Sequence, residues 1–131
     1  MIVDIPKDVQ IAMLEYKTPL QAVSVEPEHT AEQIKQARQL IEQAKQPMLY
    51  VGGGVGMASA VEPLREFIKI TGIPSVATLK GLGSITLETP GYLGMLGMHG
   101  SKAANLAVQE CDLLIVVGAR FDDRVTGRLA S

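Results

Sequence analysis

The sequence has 131 residues, 47% hydrophobic and 20% charged, with a formal net charge of -2 at pH 7. That length fits one ordinary domain with a sizeable core, and the charge balance gives no electrostatic basis for binding nucleic acid. The single cysteine, Cys111, excludes a disulfide framework, and no apolar run is long enough to cross a bilayer. Met1–Lys7 lacks the order of a signal peptide, so a cytoplasmic protein without membrane association is expected.

Ile2–Ile5 reads as a short β-like run stopped by Pro6. From Lys7 to His29 no strong periodicity is visible, and Pro19 and Pro27 punctuate the stretch. It reads as a linker arm, with residues 1–29 the end of a preceding domain and residues 30–131 an α/β domain. A helix is predicted from Thr30, with Gln33 as its capping-box partner. Ile34, Ala37, Leu40, Ile41 and Ala44 fall on one face, a stripe expected to be buried.

Pro47 ends that helix and opens the apolar run Met48–Val51, which leads directly into Gly52-Gly53-Gly54-Val55-Gly56. A continuous apolar run is what a strand covered on both faces requires. A second helix starts near Val61, which leaves Pro63 in its first turn, and stops at Gly72. A second strand, Ser75–Leu79, ends in the turn Lys80-Gly81-Leu82-Gly83-Ser84. Ser84–Tyr92 reads as irregular, and Leu93–Gly100 as a glycine-rich loop. Ser101 caps a third helix carrying Ala104, Ala107, Val108 and Cys111. Leu113–Val117 is the clearest strand, and it runs into Gly118-Ala119-Arg120-Phe121-Asp122-Asp123-Arg124. The chain stops after a charged, glycine-containing loop, which reads as a segment of a longer protein.

This alternation predicts an α/β fold: a parallel sheet with helices on both faces, Rossmann-like. Ligands of such sheets sit outside the carboxyl ends of the strands, where this sequence repeatedly places Gly, Thr, Lys, Arg or Asp. Gly54-Val55-Gly56-Met57-Ala58-Ser59 departs from the dinucleotide fingerprint by ending in Ser. The next strand also ends without an acid, so an ordinary NAD mode is disfavoured, and no Gly-Lys-Ser/Thr follows the glycines. Glycine-rich turns near a helix start at Ser101 can still hold a diphosphate. His99 alone on a loop is more often structural than catalytic, and His29 is expected to be solvated. Asp122 and Asp123 project in different directions, so pairing with Arg120 and Arg124 outweighs a Mg²⁺ site. Both arginines suit a phosphate or carboxylate.

Four segments together resemble the catalytic subunit of acetolactate synthase (acetohydroxyacid synthase). They are the Gly52–Gly56 turn, Thr78-Leu79-Lys80-Gly81-Leu82-Gly83, Leu93-Gly94-Met95-Leu96-Gly97-Met98-His99-Gly100, and Gly118-Ala119-Arg120-Phe121-Asp122-Asp123-Arg124-Val125-Thr126-Gly127. Val3–Gln10 resembles the end of that family's first domain. The resemblance implies the DHS-like middle domain of a three-domain, thiamine-diphosphate- and Mg²⁺-dependent transferase. It implies condensation of pyruvate with a second 2-oxo acid in branched-chain amino-acid biosynthesis. It further implies that this domain holds FAD without net redox change. Gly53 would then lie against the FAD backbone, with Thr78 and Leu79 at the second strand end. Leu96, Gly97, Met98 and His99 would approach the flavin, and Gly118, Ala119, Arg120, Phe121 and Asp122 would form the third strand end. Asp123 and Arg124 would belong to a substrate and inhibitor channel. The family's catalytic Glu and its thiamine and metal motif lie in other domains, so the fragment alone is expected to be inactive. It is also expected to bind FAD weakly, because the resemblance puts a further strand beyond it. Implied partners are the other domains of the parent chain, a homo-oligomer and a small regulatory subunit. Another thiamine enzyme's middle domain, or a free-standing nucleotide-binding module, stays open as an alternative.

Overall fold

The computed structural model describes residues 4–13, 15 and 30–121. The elements run α1 (Lys7–Ile11), α2 (Ala31–Gln43), β1 (Pro47–Val51), α3 (Gly54–Met57), α4 (Val61–Thr71), β2 (Ser75–Ala77), β3 (Tyr92–Met95), α5 (Lys102–Glu110) and β4 (Leu113–Val117). The strands form one sheet in the order β3-β2-β1-β4. Every pairing is parallel, with Leu49 opposite both Ser75 and Ile115.

β1 is the centre of the sheet, and its alternation sorts the core into two halves. Leu49 and Val51 point to one face, where they meet Val55, Leu64, Ile68, Ile73 and Ile85. Met48 and Tyr50 point to the other, where they meet Val76, Leu96 and Ala104. Thus α4 covers one face and α5 the opposite one, as the alternating pattern predicts. Each fully buried Leu, Val or Ile side chain contributes about 1.5–3 kcal/mol relative to exposure, so β1 anchors the fold.

Local chemistry fixes the helix ends. The Thr30 hydroxyl accepts from the Gln33 amide at 3.2 Å, and the Gln33 side chain accepts from the Thr30 amide at 3.1 Å. This is the capping box expected from the sequence. α4 begins at Val61, which leaves Pro63 in the first turn, and it closes on Gly72 in the left-handed region. The Ser101 hydroxyl accepts from the Ala104 amide at 3.0 Å and opens α5.

The structure departs from the sequence-based expectations in five places. β2 stops at Ala77 because the Thr78 hydroxyl caps a 3₁₀ turn at Leu79–Gly81, so Leu79 is not in the strand. The stretch starting at Tyr92, expected as irregular chain and loop, is the parallel edge strand β3. The glycine turn, expected as a loop, runs into the short helix α3, which begins at Gly54. Lys7–Ile11, expected as featureless arm, is a helical turn with no buried residue. The α2 stripe is largely uncovered, with Ile34 and Leu40 exposed and only Ile41 packed against the core.

Candidate functional site

α4 leaves β1 on one face to reach β2, whereas α5 leaves β3 on the other face and delivers β4 to the far side of β1. The carboxyl ends of β1 and β4 therefore flank the topological switch point, where open α/β sheets bind ligands. The backbone is very close-packed there. The Gly52 amide donates to the Val117 carbonyl at 2.9 Å, and the Gly54 amide to the Gly118 carbonyl at 2.8 Å. A Cβ on Gly52 would stand 2.3 Å from the Gly118 carbonyl oxygen. One on Gly53 would stand 2.9 Å from the Lys80 Cβ, so the chain itself already requires glycine there. The glycines thus lock three strand-end loops together, and the Gly54 amide is committed to that lock.

The expected site residues divide into braces and exposed groups. Thr78 is a brace: its amide donates to the Val51 carbonyl at 2.8 Å and its hydroxyl accepts from the Gly81 amide at 3.0 Å. Leu96 is buried in the core under α5. Gly97 is buried, with φ 94°. The Asn105 side chain holds it from both sides, accepting from its amide at 2.8 Å and donating to its carbonyl at 3.0 Å. Sequence reasoning missed Asn105, because an Asn inside a helix carries no local sign of such a distant contact. Ala119 packs against the core on the α5 side.

The exposed groups share the carboxyl end of the sheet. Leu79 follows β2, Met98 and His99 follow β3, and Arg120 and Phe121 follow β4. Met57 follows β1 in α3 and was not anticipated. Large apolar side chains stay in solvent there, Met57 at 90%, Leu79 at 72%, Met98 at 68% and Phe121 at 63%. The buried Tyr50 hydroxyl donates to the Arg120 carbonyl at 3.3 Å, and its ring lies 5.9 Å from that of Phe121. Tyr50 thereby fixes the loop that follows β4. Asp122, Asp123 and Arg124 lie outside the described residues, as does His29. Cys111 ends α5 half-buried, where burial pushes its thiol above the usual range. Among the described residues no group of three His, Cys, Asp or Glu side chains could hold a metal ion.

The carboxyl end of the sheet thus carries exposed apolar side chains together with the exposed cations Lys80 and Arg120, at the edge where parallel α/β sheets bind ligands. Residues 34–131 match the family model for the thiamine pyrophosphate enzyme central domain, and the chain belongs to that family. It is similar to the acetolactate synthase isozyme 2 large subunit of Escherichia coli, with 59% identity over 129 residues, 98% of this chain and 24% of the relative. It is 51% identical to the acetolactate synthase large subunit of Corynebacterium glutamicum, over 97% of this chain and 21% of that protein. For the large subunit of Cyanidium caldarium the identity is 43%, over 98% of this chain and 23% of the relative. The chain thus spans roughly a quarter of these relatives' length. No helix among the described residues is long and apolar enough to cross a membrane.

Proposed function

We propose that this chain is the central domain of an acetolactate-synthase-like enzyme. That enzyme would condense pyruvate with a second 2-oxo acid, releasing CO₂, in branched-chain amino-acid biosynthesis. The observation that carries the reading is 59% identity to an acetolactate synthase large subunit across 98% of the chain. Thiamine diphosphate and Mg²⁺ belong, in this reading, to other domains of the parent enzyme. A regulatory subunit, further copies of the large subunit and a cytoplasmic location belong to the same proposal.

FAD is assigned to the carboxyl end of this sheet. The exposed Leu79, Met98 and Phe121 offer apolar cover to a flat ring, which water alone would leave exposed. The Arg120 guanidinium provides a planar, permanently charged partner for the diphosphate. Gly53, Thr78, Leu96, Gly97, His99, Gly118, Ala119 and Asp122 complete the proposed contact set, with Asp123 and Arg124 in the substrate channel. FAD, when bound, supplies a rigid structural ring and no net redox change. Braced loops hold their contact groups before the ligand arrives, which lowers the ordering cost of binding. The chain has no assigned group for activating thiamine, so alone it is expected to make no acetolactate.

The test is FAD titration followed by flavin fluorescence, for the chain and its Arg120→Ala variant. Loss of a charge-assisted hydrogen bond should weaken binding by roughly ten- to a hundredfold. Equal affinities for both would overturn the assigned site.

A further inference from the structure

Met98 and His99 form the tip of a tight turn, closed where the Gly100 amide donates to the Gly97 carbonyl at 2.9 Å. Both tip residues are exposed, whereas Gly97 before them is buried. The far side of the turn is tied to β3. The Ser101 amide donates to the Met95 carbonyl at 2.9 Å, and the Ser101 hydroxyl to the Leu93 carbonyl at 3.2 Å. On the near side the Leu96 amide still bonds the Ala77 carbonyl of β2, at 3.1 Å. The chain then swings away at Gly97, with φ 94°.

Asn105 holds that swing. A side-chain amide offers an acceptor and a donor side by side in one plane. Asn105 sets that pair against the N–H and C=O of Gly97, at 2.8 and 3.0 Å, as a neighbouring strand would. Aspartate lacks the donor, and alanine lacks both groups. Asn105 stands in the first turn of α5, beside the fully buried Ala104, so its backbone is anchored to the sheet.

We propose that Asn105 is a positioning residue of the FAD site: by fixing Gly97 it sets the pose in which Met98 and His99 meet the flavin ring. The inference rests on the FAD reading above and deepens it, since Asn105 lies outside the proposed contact set. Without the clamp, the turn keeps its Gly97–Gly100 bond but swings about Gly97. Binding must then order it, which weakens affinity and alters the surroundings of the ring.

The test is FAD titration of the chain and its Asn105→Ala, Asn105→Asp, Asp112→Ala and Arg120→Ala variants, with the Met98 methyl resonance followed at saturation. Asp112 lies at the opposite, amino end of the strands, so Asp112→Ala controls for lost stability alone. Asn105→Ala should bind FAD roughly tenfold more weakly and lose the Met98 shift that FAD induces in wild type. Asn105→Asp, which keeps the acceptor for the Gly97 amide, should recover to within about threefold of wild type. Asp112→Ala should match wild type in both readouts. If Asn105→Ala is unfolded by circular dichroism, Asn105→Asp decides, and wild-type affinity with a wild-type Met98 shift overturns the proposal. Wild-type binding by Asn105→Ala, beside a weakened Arg120→Ala, overturns the positioning role and leaves the FAD site standing. Equal weakening by Asn105→Ala and Asp112→Ala also overturns that role. No difference between wild type and Arg120→Ala overturns the FAD site and this inference together.

Discussion

Gly54 and Gly118 meet backbone to backbone: the Gly54 amide donates to the Gly118 carbonyl at 2.8 Å, and a Cβ on Gly118 would stand 2.9 Å from the Gly54 Cα. Gly118 also has φ 59°, in the region that side chains disfavour. Gly118→Ala combines strain with overlap and should cost more than about 2 kcal/mol in urea unfolding. Gly56 is the control, because a Cβ there meets nothing within 4 Å. Gly56→Ala should be neutral or stabilising by up to about 1 kcal/mol. Equal destabilisation by both would show that the close approach does not govern the junction.

The Asn105 clamp on Gly97 makes a second prediction. Asn105→Ala leaves the buried Gly97 amide without this partner, whereas the Gly97 carbonyl still accepts from the Gly100 amide at 2.9 Å. One unmet buried amide costs about 1–3 kcal/mol, so a loss of that size is expected. Asn105→Asp keeps the acceptor but loses the donor, and should fall between Ala and wild type. Chemical denaturation of the three proteins gives the order directly.

Ser75 is fully buried in β2, and its hydroxyl has no hydrogen-bond partner. Its pairing with Leu49 places it on the α4 face of the sheet. Ser75→Ala removes an unsatisfied polar group at little loss of volume, and should stabilise by up to about 1 kcal/mol. A thermal midpoint lower than wild type would contradict this.

Asp112 ties the entry of β1 to the entry of β4. Its carboxylate accepts from the Lys45 amide at 2.7 Å and the Gln46 amide at 2.9 Å. The Lys45 bond first, then the Gln46 bond, hold its carboxyl below the usual aspartate range. A depressed carboxyl stabilises the fold above its unfolded value of about 3.9, and that contribution fades as pH falls through the folded value. Asp112→Ala should therefore be less stable than wild type at neutral pH, and the gap should close in acid. Thermal unfolding across pH measures it; a gap that persists in strong acid would place the effect outside the carboxylate.

The sequence revealed what local pattern controls. Met48–Val51 and Leu113–Val117 are apolar runs, and Thr30 with Gln33, Gly72 and Ser101 are caps whose partners lie within a turn. β3 was not legible, because Gly94 with φ 85° breaks its alternation and its pairing with β2 shifts register. α3 was hidden by glycines, which hold a helix only where tertiary contacts do. α2 showed a stripe that pattern assigns to a core, yet pattern cannot say whether a partner surface exists to cover Ile34 and Leu40.

Of the candidate site, the strand-end loops were legible from their glycines and their cations. Their braces were not. Asn105, Asp112 and Tyr50 act on backbone groups brought near by the sheet. Arg65 does the same from α4, donating to the carbonyls of Ser84 and Gly83, both at 3.0 Å. Such bonds leave no spacing signature, since the residues they join are set by topology.

The central position of β1 also sets an order of assembly. Its pairing with β2 closes across one helix, whereas Asp112 reaches Lys45 and Gln46 from 67 and 66 residues away. Remote closure costs more chain entropy and slows folding. The β1–α4–β2 unit can therefore form while β4 is still free, leaving one flank of β1 unpaired in the interval. During that interval the apolar runs at Met48–Val51 and Leu113–Val117 are open to their counterparts on other nascent chains. Refolding yield should therefore fall as protein concentration rises, with misassembly centred on those two strands.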